Sequence, residues 1–242
     1  MNSSLQSLKF IYYLAKFNPE KYPKVNIVDD YYLGFDNDKI PLKILNRFNK
    51  KHHSTIILFP GASPDAEEHQ GMLFLGSIIC KLGYKVIIPR IPPLKELKLN
   101  EECFNWFAHA YEQIMNRADI KKEKVSAMAL SFGGAVLLKA SLDSRISNNP
   151  PKSIMTFGTY SNIQTTLKFL CNGKIKLKNE TYTIKPHSWG LTVLFHNFLD
   201  KFNFTEKEKY KDEFRKIINL QIQDKHDQVK QKIKELPNIK TQ

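Results

Sequence analysis

Short apolar runs alternate with segments of helical periodicity in the middle of this sequence. The runs are rich in Ile, Val, Leu and Ala, and they end at proline, glycine or polar residues; they span 54–59, 85–88, 125–130 and 153–157. Continuous apolar runs of this length are typical of strands buried on both faces. Their alternation with helices predicts an α/β fold, a mainly parallel sheet with helices on both faces.

Two further β-rich runs precede this alternating part. They span residues 25–33 and 39–45 and are separated by the turn-forming cluster 34–38, which predicts an opening hairpin. Within the alternating part, one helix is predicted over residues 134–142. Its apolar spacing puts Ala135, Leu138 and Leu142 on the inward face.

The sequence changes character after residue 160, because no further buried-strand pattern follows. Residues 189–198 are apolar and aromatic, and the remainder is highly charged but helically periodic. We therefore predict an N-terminal extension over 1–24, an α/β core over 25–160, and a helical, lid-like or C-terminal segment over 161–242.

Composition and charge bear on three questions, which are nucleic-acid binding, disulfide or metal sites, and the cellular compartment. The net charge is +13, but the basic residues are mostly lysines scattered along the chain, and we do not expect nucleic-acid binding. The cysteines are Cys80, Cys103 and Cys171, which form no CxxC pair and indicate neither a disulfide framework nor a metal site. A reducing compartment fits them, and we predict a cytoplasmic location.

The N-terminal segment has two interpretations. Residues 8–17 suit a short amphipathic helix, far shorter than the roughly 20 residues that cross a bilayer. We favour packing on the domain, and weak association with a membrane surface is the alternative.

The stretch Ala129-Leu130-Ser131-Phe132-Gly133-Gly134 follows a predicted strand and opens a predicted helix. A serine at a sharp strand-to-helix turn is presented above the sheet edge, and small residues must flank the turn. Ala129 and Gly133 meet that requirement. The alternative is an ordinary serine at a tight turn.

This stretch resembles the nucleophile elbow of the α/β-hydrolase family, of a dienelactone-hydrolase or esterase type, with Ala in place of the first Gly. The resemblance covers roughly residues 25–160. It implies that Ser131 is the catalytic nucleophile and that the backbone N–H groups of Ala62 and Phe132 form the oxyanion hole. It also implies acyl transfer from a small-molecule ester or thioester, with no metal and no organic cofactor.

The family's acid and histidine, which should follow later strands, have no counterpart in the sequence. Among the histidines after Ser131, His187 begins a predicted helix, His196 lies inside it, and His226 stands in a charged segment. We assign none of them as the base, and we keep His187 as a possible substrate-binding residue.

Two earlier residues are also possible substrate-binding groups. The loop after the run 54–59, which contains Ala62, is the predicted oxyanion loop. His69, with Glu68, lies just after this loop, and Arg90 follows a strand at the edge of the sheet where α/β ligands bind. A position at the start of a helix explains His69 equally well, and a structural ion pair explains Arg90 equally well.

The lack of an assignable base has two explanations. The first, which we favour, is that the chain is a C-terminally truncated serine hydrolase. The second is that it is a non-catalytic binding or scaffold protein with an α/β-hydrolase fold.

Overall fold

The computed structural model describes residues 3–48, 52, 54–202 and 207–236. It consists of two compact units, Met1–Ser161 and Asn162–Gln242. None of the helices in the described ranges is both long and apolar enough to cross a membrane.

The first unit contains one six-stranded sheet. Its strands are β1 Asn26–Leu33, β2 Lys39–Asn46, β3 Thr55–Phe59, β4 Lys85–Pro89, β5 Val125–Leu130 and β6 Ile154–Phe157. They lie in the order β1-β2-β4-β3-β5-β6. Strands β3 to β6 are parallel, whereas β2 pairs antiparallel with both β1 and β4. The predicted opening hairpin and mainly parallel sheet are confirmed.

The helices of this unit precede the sheet or connect its parallel strands. They are α1 Ser3–Lys16, α2 Gln70–Lys81, α3 Pro92–Lys95, α4 Glu102–Met115, α5 Phe132–Ala140 and α6 Ser144–Ser147. Helix α2 ends where the sequence indicates, because Gly83 adopts a φ of 108° that other residues avoid.

Each face of the sheet has its own apolar core, because successive strand side chains point to opposite faces. In β3, Ile57 and Phe59 pack with residues of α4 and α5, whereas Leu58 packs with residues of α2. The ring of Phe59 stacks on Phe107 of α4 at a centroid distance of 4.6 Å. Helices therefore cover both faces, as predicted.

The predicted inward face of helix α5 is wrong. The helix begins at Phe132, directly after the turn, and its buried side includes Val136, Leu137 and Ala140. Leu138 and Leu142 are exposed. The turn at residue 131 sets the phase of this helix, and a count of apolar residues does not reveal that phase.

The second unit is mainly helical, which confirms the predicted helical C-terminal segment. Its elements are α7 Ile163–Asn172, β7 Lys174–Leu177, β8 Glu180–Thr183, α8 Ser188–Phe198, α9 Lys207–Ile222 and α10 His226–Glu235. Helix α7 begins at a cap in which Asn162 Oδ1 accepts a hydrogen bond from the Thr165 N–H at 3.1 Å, and it ends at Gly173 with φ 69°. Strands β7 and β8 form a small antiparallel hairpin.

Candidate functional site

Ser131 occupies a strained turn between β5 and α5. Its backbone has φ 52° and ψ −131°, a conformation that residues with a Cβ atom rarely adopt. The residue is exposed to solvent. A strained, exposed serine at a strand-to-helix turn is the geometry of a nucleophile elbow.

Two backbone hydrogen bonds hold this turn. The Ser131 N–H donates to the Phe157 carbonyl at the end of β6, at 2.9 Å. The Ser131 carbonyl accepts from the Gly134 N–H at 3.0 Å. The strain at Ser131 is therefore maintained by the neighbouring strand and by the first turn of α5.

The residues around Ser131 must be small because atoms of neighbouring segments lie close to them. Ala129 is fully buried. A Cβ atom on Gly133 would lie 2.1 Å from the Pro60 carbonyl oxygen, and one on Gly134 would lie 2.7 Å from the Thr159 Cβ. Neither glycine can be replaced without movement of its neighbours.

The loop that follows β3 lies directly against the turn. A Cβ atom on Gly61 would be 3.2 Å from the Ser131 Cβ and 3.8 Å from its Oγ. The loop is held by a hydrogen bond from the Ser63 N–H to the Leu94 carbonyl at 3.2 Å, and by one from Lys95 Nζ to the Pro64 carbonyl at 3.0 Å. The segment that contains Ala62 is thus adjacent to the residue predicted as nucleophile.

Phe132 is the first residue of α5. The N–H groups in the first turn of a helix have no partner within the helix and carry partial positive charge. Ala62 belongs to the loop beside Ser131, one residue after Gly61. Their assignment as oxyanion donors stays a prediction.

Arg90 forms an ion pair with Glu67. Its Nε and Nη2 atoms donate to the two carboxylate oxygens at 2.9 and 2.6 Å, and the Glu67 side chain is only 1% exposed. The hydrogen bond to Glu67 raises the pKa of the Arg90 guanidinium. Tyr32 Oη donates to the Arg90 carbonyl at 2.6 Å, and burial raises the pKa of this tyrosine.

Glu67 was missed by the sequence analysis, which singled out its neighbour Glu68. Glu68 has a 57% exposed side chain and pairs with Lys43 at 3.0 Å. A cavity of about 400 Å³ lies beside these charges, and both Glu67 and Arg90 line it. Nothing in the local sequence distinguishes the two glutamates, because the partner of Glu67 is Arg90, which lies 23 residues further along the chain.

The four histidines considered as candidates from the sequence lie in different parts of the structure. His69 Nδ1 accepts a hydrogen bond from the Gly71 N–H at 3.1 Å and caps helix α2. His187 stands before α8 without a side-chain capping bond, and His196 lies within that helix. His226 is exposed, with Nε2 3.9 Å from Asp224 Oδ1. Among the described residues of the first unit, no histidine forms a hydrogen bond with Ser131 Oγ.

No cluster of three or more His, Cys, Asp or Glu side chains within the described ranges is arranged to hold a metal ion.

No family model matches the chain, and no curated protein matches it. Among solved structures it is similar to a dienelactone-hydrolase-like promiscuous phosphotriesterase from metagenomic libraries, with 14% identity and a TM-score of 0.45 over 57% of this chain and 60% of that one. It is also similar to an arylesterase, with 16% identity and a TM-score of 0.44 over 66% and 59% of the two chains. A putative dienelactone hydrolase from Klebsiella pneumoniae shows 10% identity and a TM-score of 0.41 over 50% and 56%.

The chain has an α/β-hydrolase-like fold. The mixed, mainly parallel sheet and the strained serine between β5 and α5 carry this conclusion. The chain spans between half and three fifths of the length of these three similar proteins.

Proposed function

We propose that the chain provides the nucleophile and the oxyanion hole of a serine hydrolase acting on a carboxylic ester or thioester. The backbone conformation of Ser131, with φ 52° and ψ −131°, is the observation that carries the proposal. Strain of this kind persists only where the surrounding structure enforces it, and it concentrates at functional positions.

The chemistry would proceed by acyl transfer. Ser131 Oγ attacks the carbonyl carbon while a base accepts its proton, and the carbonyl oxygen becomes an oxyanion. The N–H groups of Phe132 and Ala62 donate hydrogen bonds to that oxyanion. Collapse of the intermediate releases the alcohol or thiol, and water then attacks the acyl-enzyme to release the acid and regenerate the serine.

The closeness of the β3 loop to the turn supports the pairing of these donors. The position of a Gly61 Cβ lies 3.8 Å from Ser131 Oγ, so Gly61 leaves room beside the hydroxyl. A substrate carbonyl must approach both the nucleophile and the two N–H groups. The absence of a side chain at Gly61 keeps that approach open.

A fluorophosphonate probe tests the nucleophile. We expect the probe to label Ser131 in the folded chain, and Ser131→Ala to abolish labelling. Ser141→Ala is the matched control, because Ser141 lies at the other end of the same helix with an ordinary φ of −63°. Labelling that persists in Ser131→Ala would contradict the proposal. A folded chain that is never labelled would show that Ser131 is not activated by any base in this chain, as both a truncated hydrolase and the non-catalytic binding role predict.

A second experiment, on unlabelled chain, tests whether one of its histidines acts as the base. Each of His69, His187, His196 and His226 is replaced by Ala, one at a time. A variant that loses labelling identifies the residue that activates Ser131, and a variant that keeps it excludes that residue as the base.

Hydrolysis of p-nitrophenyl esters of increasing acyl length, compared with hydrolysis of acyl thioesters, defines the substrate class. We place this activity in a reducing compartment such as the cytoplasm, an assignment supported by three unpaired cysteines.

A further inference from the structure

Helix α1 carries large apolar residues on more than one side, and only one of these sides packs on the rest of the first unit. Phe10 packs against the core under α2, and Gln6 Oε1 accepts a hydrogen bond from Tyr84 Oη at 3.2 Å. These contacts fix the helix on the unit. They leave its opposite side directed away from the core.

The opposite side carries a row of large apolar residues, Leu5, Leu8, Ile11 and Tyr12, which we call the α1 outer row. Their exposed fractions are 46%, 65%, 62% and 56%. Spacings of three, four and seven residues place them side by side on one face of the helix. A contiguous exposed apolar face of this kind marks an interaction site more often than a scattered apolar residue does.

The charged residues of α1 are basic. The helix sequence SSLQSLKFIYYLAK contains Lys9 and Lys16 and no acidic residue. Both lysines are exposed, and Lys16 Nζ lies 5.4 Å from the centre of the Tyr12 ring. The ammonium groups therefore border the apolar row, on a chain whose net charge is +13.

We propose that α1 is an interfacial helix that binds the surface of an anionic lipid bilayer. The α1 outer row would enter the boundary between headgroups and acyl chains, while Lys9 and Lys16 contact the negative headgroups. The helix has 14 residues, which suits binding along the surface rather than insertion across it. This inference does not depend on the chemistry of Ser131.

The charge pattern favours a membrane over a second copy of the chain. A twofold contact between two α1 outer rows would bring the lysines of both copies to the same interface. Like charges at an interface are unfavourable. An anionic surface instead compensates them.

Vesicle co-sedimentation tests the proposal with the full chain. We expect binding to phosphatidylcholine vesicles that contain phosphatidylserine, and little binding to vesicles of phosphatidylcholine alone. The double variant Leu8→Gln/Ile11→Gln should lower the partition coefficient at least about tenfold, because both side chains lose their apolar contact with lipid. Removal of one lysine, as in Lys9→Gln, should lower it about fivefold.

Leu142→Gln is the matched control, because Leu142 is a 76% exposed leucine of the same unit and lies outside α1. It should bind vesicles as the unchanged chain does. Leu8→Trp should show a blue-shifted emission that brominated lipids quench, whereas Leu142→Trp should not.

The proposal is overturned if the unchanged chain does not bind anionic vesicles, or if Leu8→Gln/Ile11→Gln binds them as strongly as the unchanged chain does. It is also overturned if that double variant converts a dimer to a monomer in sedimentation velocity without changing vesicle binding. That last result would assign the α1 outer row to a second copy of the chain.

Discussion

The carbonyl oxygen of Pro60 stands where a side chain on Gly133 would begin, with only 2.1 Å between that oxygen and the position of a Cβ atom. The end of β3 and the first turn of α5 therefore touch through their backbones. This contact sets the distance between the predicted oxyanion loop and Ser131.

Gly133→Ala should destabilise the chain by about 3 kcal/mol, because the obstacle is backbone and cannot rotate away. The measurement is urea unfolding followed by circular dichroism. Gly158→Ala is the control, since Gly158 has φ 65° but nothing within 4 Å of its Cβ position. It should cost only about 1–2 kcal/mol from its left-handed backbone. Equal costs for the two variants would show that the contact with Pro60 is unimportant.

Ser131→Gly should stabilise the chain relative to Ser131→Ala by about 1 kcal/mol, because glycine adopts φ 52° without the strain that a Cβ imposes. Both variants lack the hydroxyl, so their difference in unfolding free energy measures the cost of holding a residue with a Cβ atom in this backbone conformation. Ser141→Gly is the control at an ordinary φ of −63°, and it should be less stable than Ser141→Ala. A Ser131→Gly variant no more stable than Ser131→Ala would argue against strain at the turn.

The strands and the serine turn could be predicted from sequence because their signals are local. An apolar run bounded by proline or glycine marks a buried strand, and the small residues around Ser131 mark the turn. The predicted run over 125–130 coincides with β5. The others differ from the observed strands by a residue at one end.

The remainder depends on contacts between distant segments. The sequence placed α5 over residues 134–142, whereas the helix spans Phe132–Ala140, so that Leu142 lies beyond its end, and Leu138 faces solvent. For His69 and Arg90 the sequence left substrate binding and a structural role equally open, and the structure shows a capping bond for His69 and a buried carboxylate partner for Arg90. Burial of Glu67 is a property of the assembled sheet edge, so the sequence around it carries no sign of it.

Glu67→Gln should destabilise the chain by about 2–3 kcal/mol, because it leaves Arg90 without the carboxylate that both of its donating nitrogens contact. Arg90 is 25% exposed, so water compensates part of the loss. Thermal and urea unfolding measure the change.

Glu68→Gln provides the comparison for that variant. Its ion pair with Lys43 is at the surface, and its loss should cost less than about 1 kcal/mol. If Glu67→Gln lowered the unfolding free energy no more than Glu68→Gln does, the ion pair between Arg90 and Glu67 would not stabilise the fold. A substrate-binding role for Arg90 would then deserve a direct ligand test.

The Asp143 carboxylate makes stability depend on pH in a defined window. It accepts hydrogen bonds from Arg145 Nε and Nη2 at 2.9 and 2.7 Å, and from the Arg145 N–H at 3.0 Å, where it caps α6. The Arg145 side chain and then its backbone N–H lower the pKa of Asp143 to about 2. The unfolded chain binds this proton near an ordinary pKa of about 3.9.

Because the folded pKa is the lower one, the stability that ionised Asp143 contributes is fully present above about pH 5 and is lost as the pH falls from about 4 towards 2. Asp143→Asn should cost about 1 kcal/mol at pH 7, and the cost should shrink below pH 4. Urea unfolding of both chains from pH 7 to pH 3 measures it. Asp227→Asn, at an exposed carboxylate 3.4 Å from Lys230, is the control and should change stability less than Asp143→Asn does at pH 7. A cost for Asp143→Asn that stays constant down to pH 3 would show that the charge of Asp143 is not what stabilises the cap.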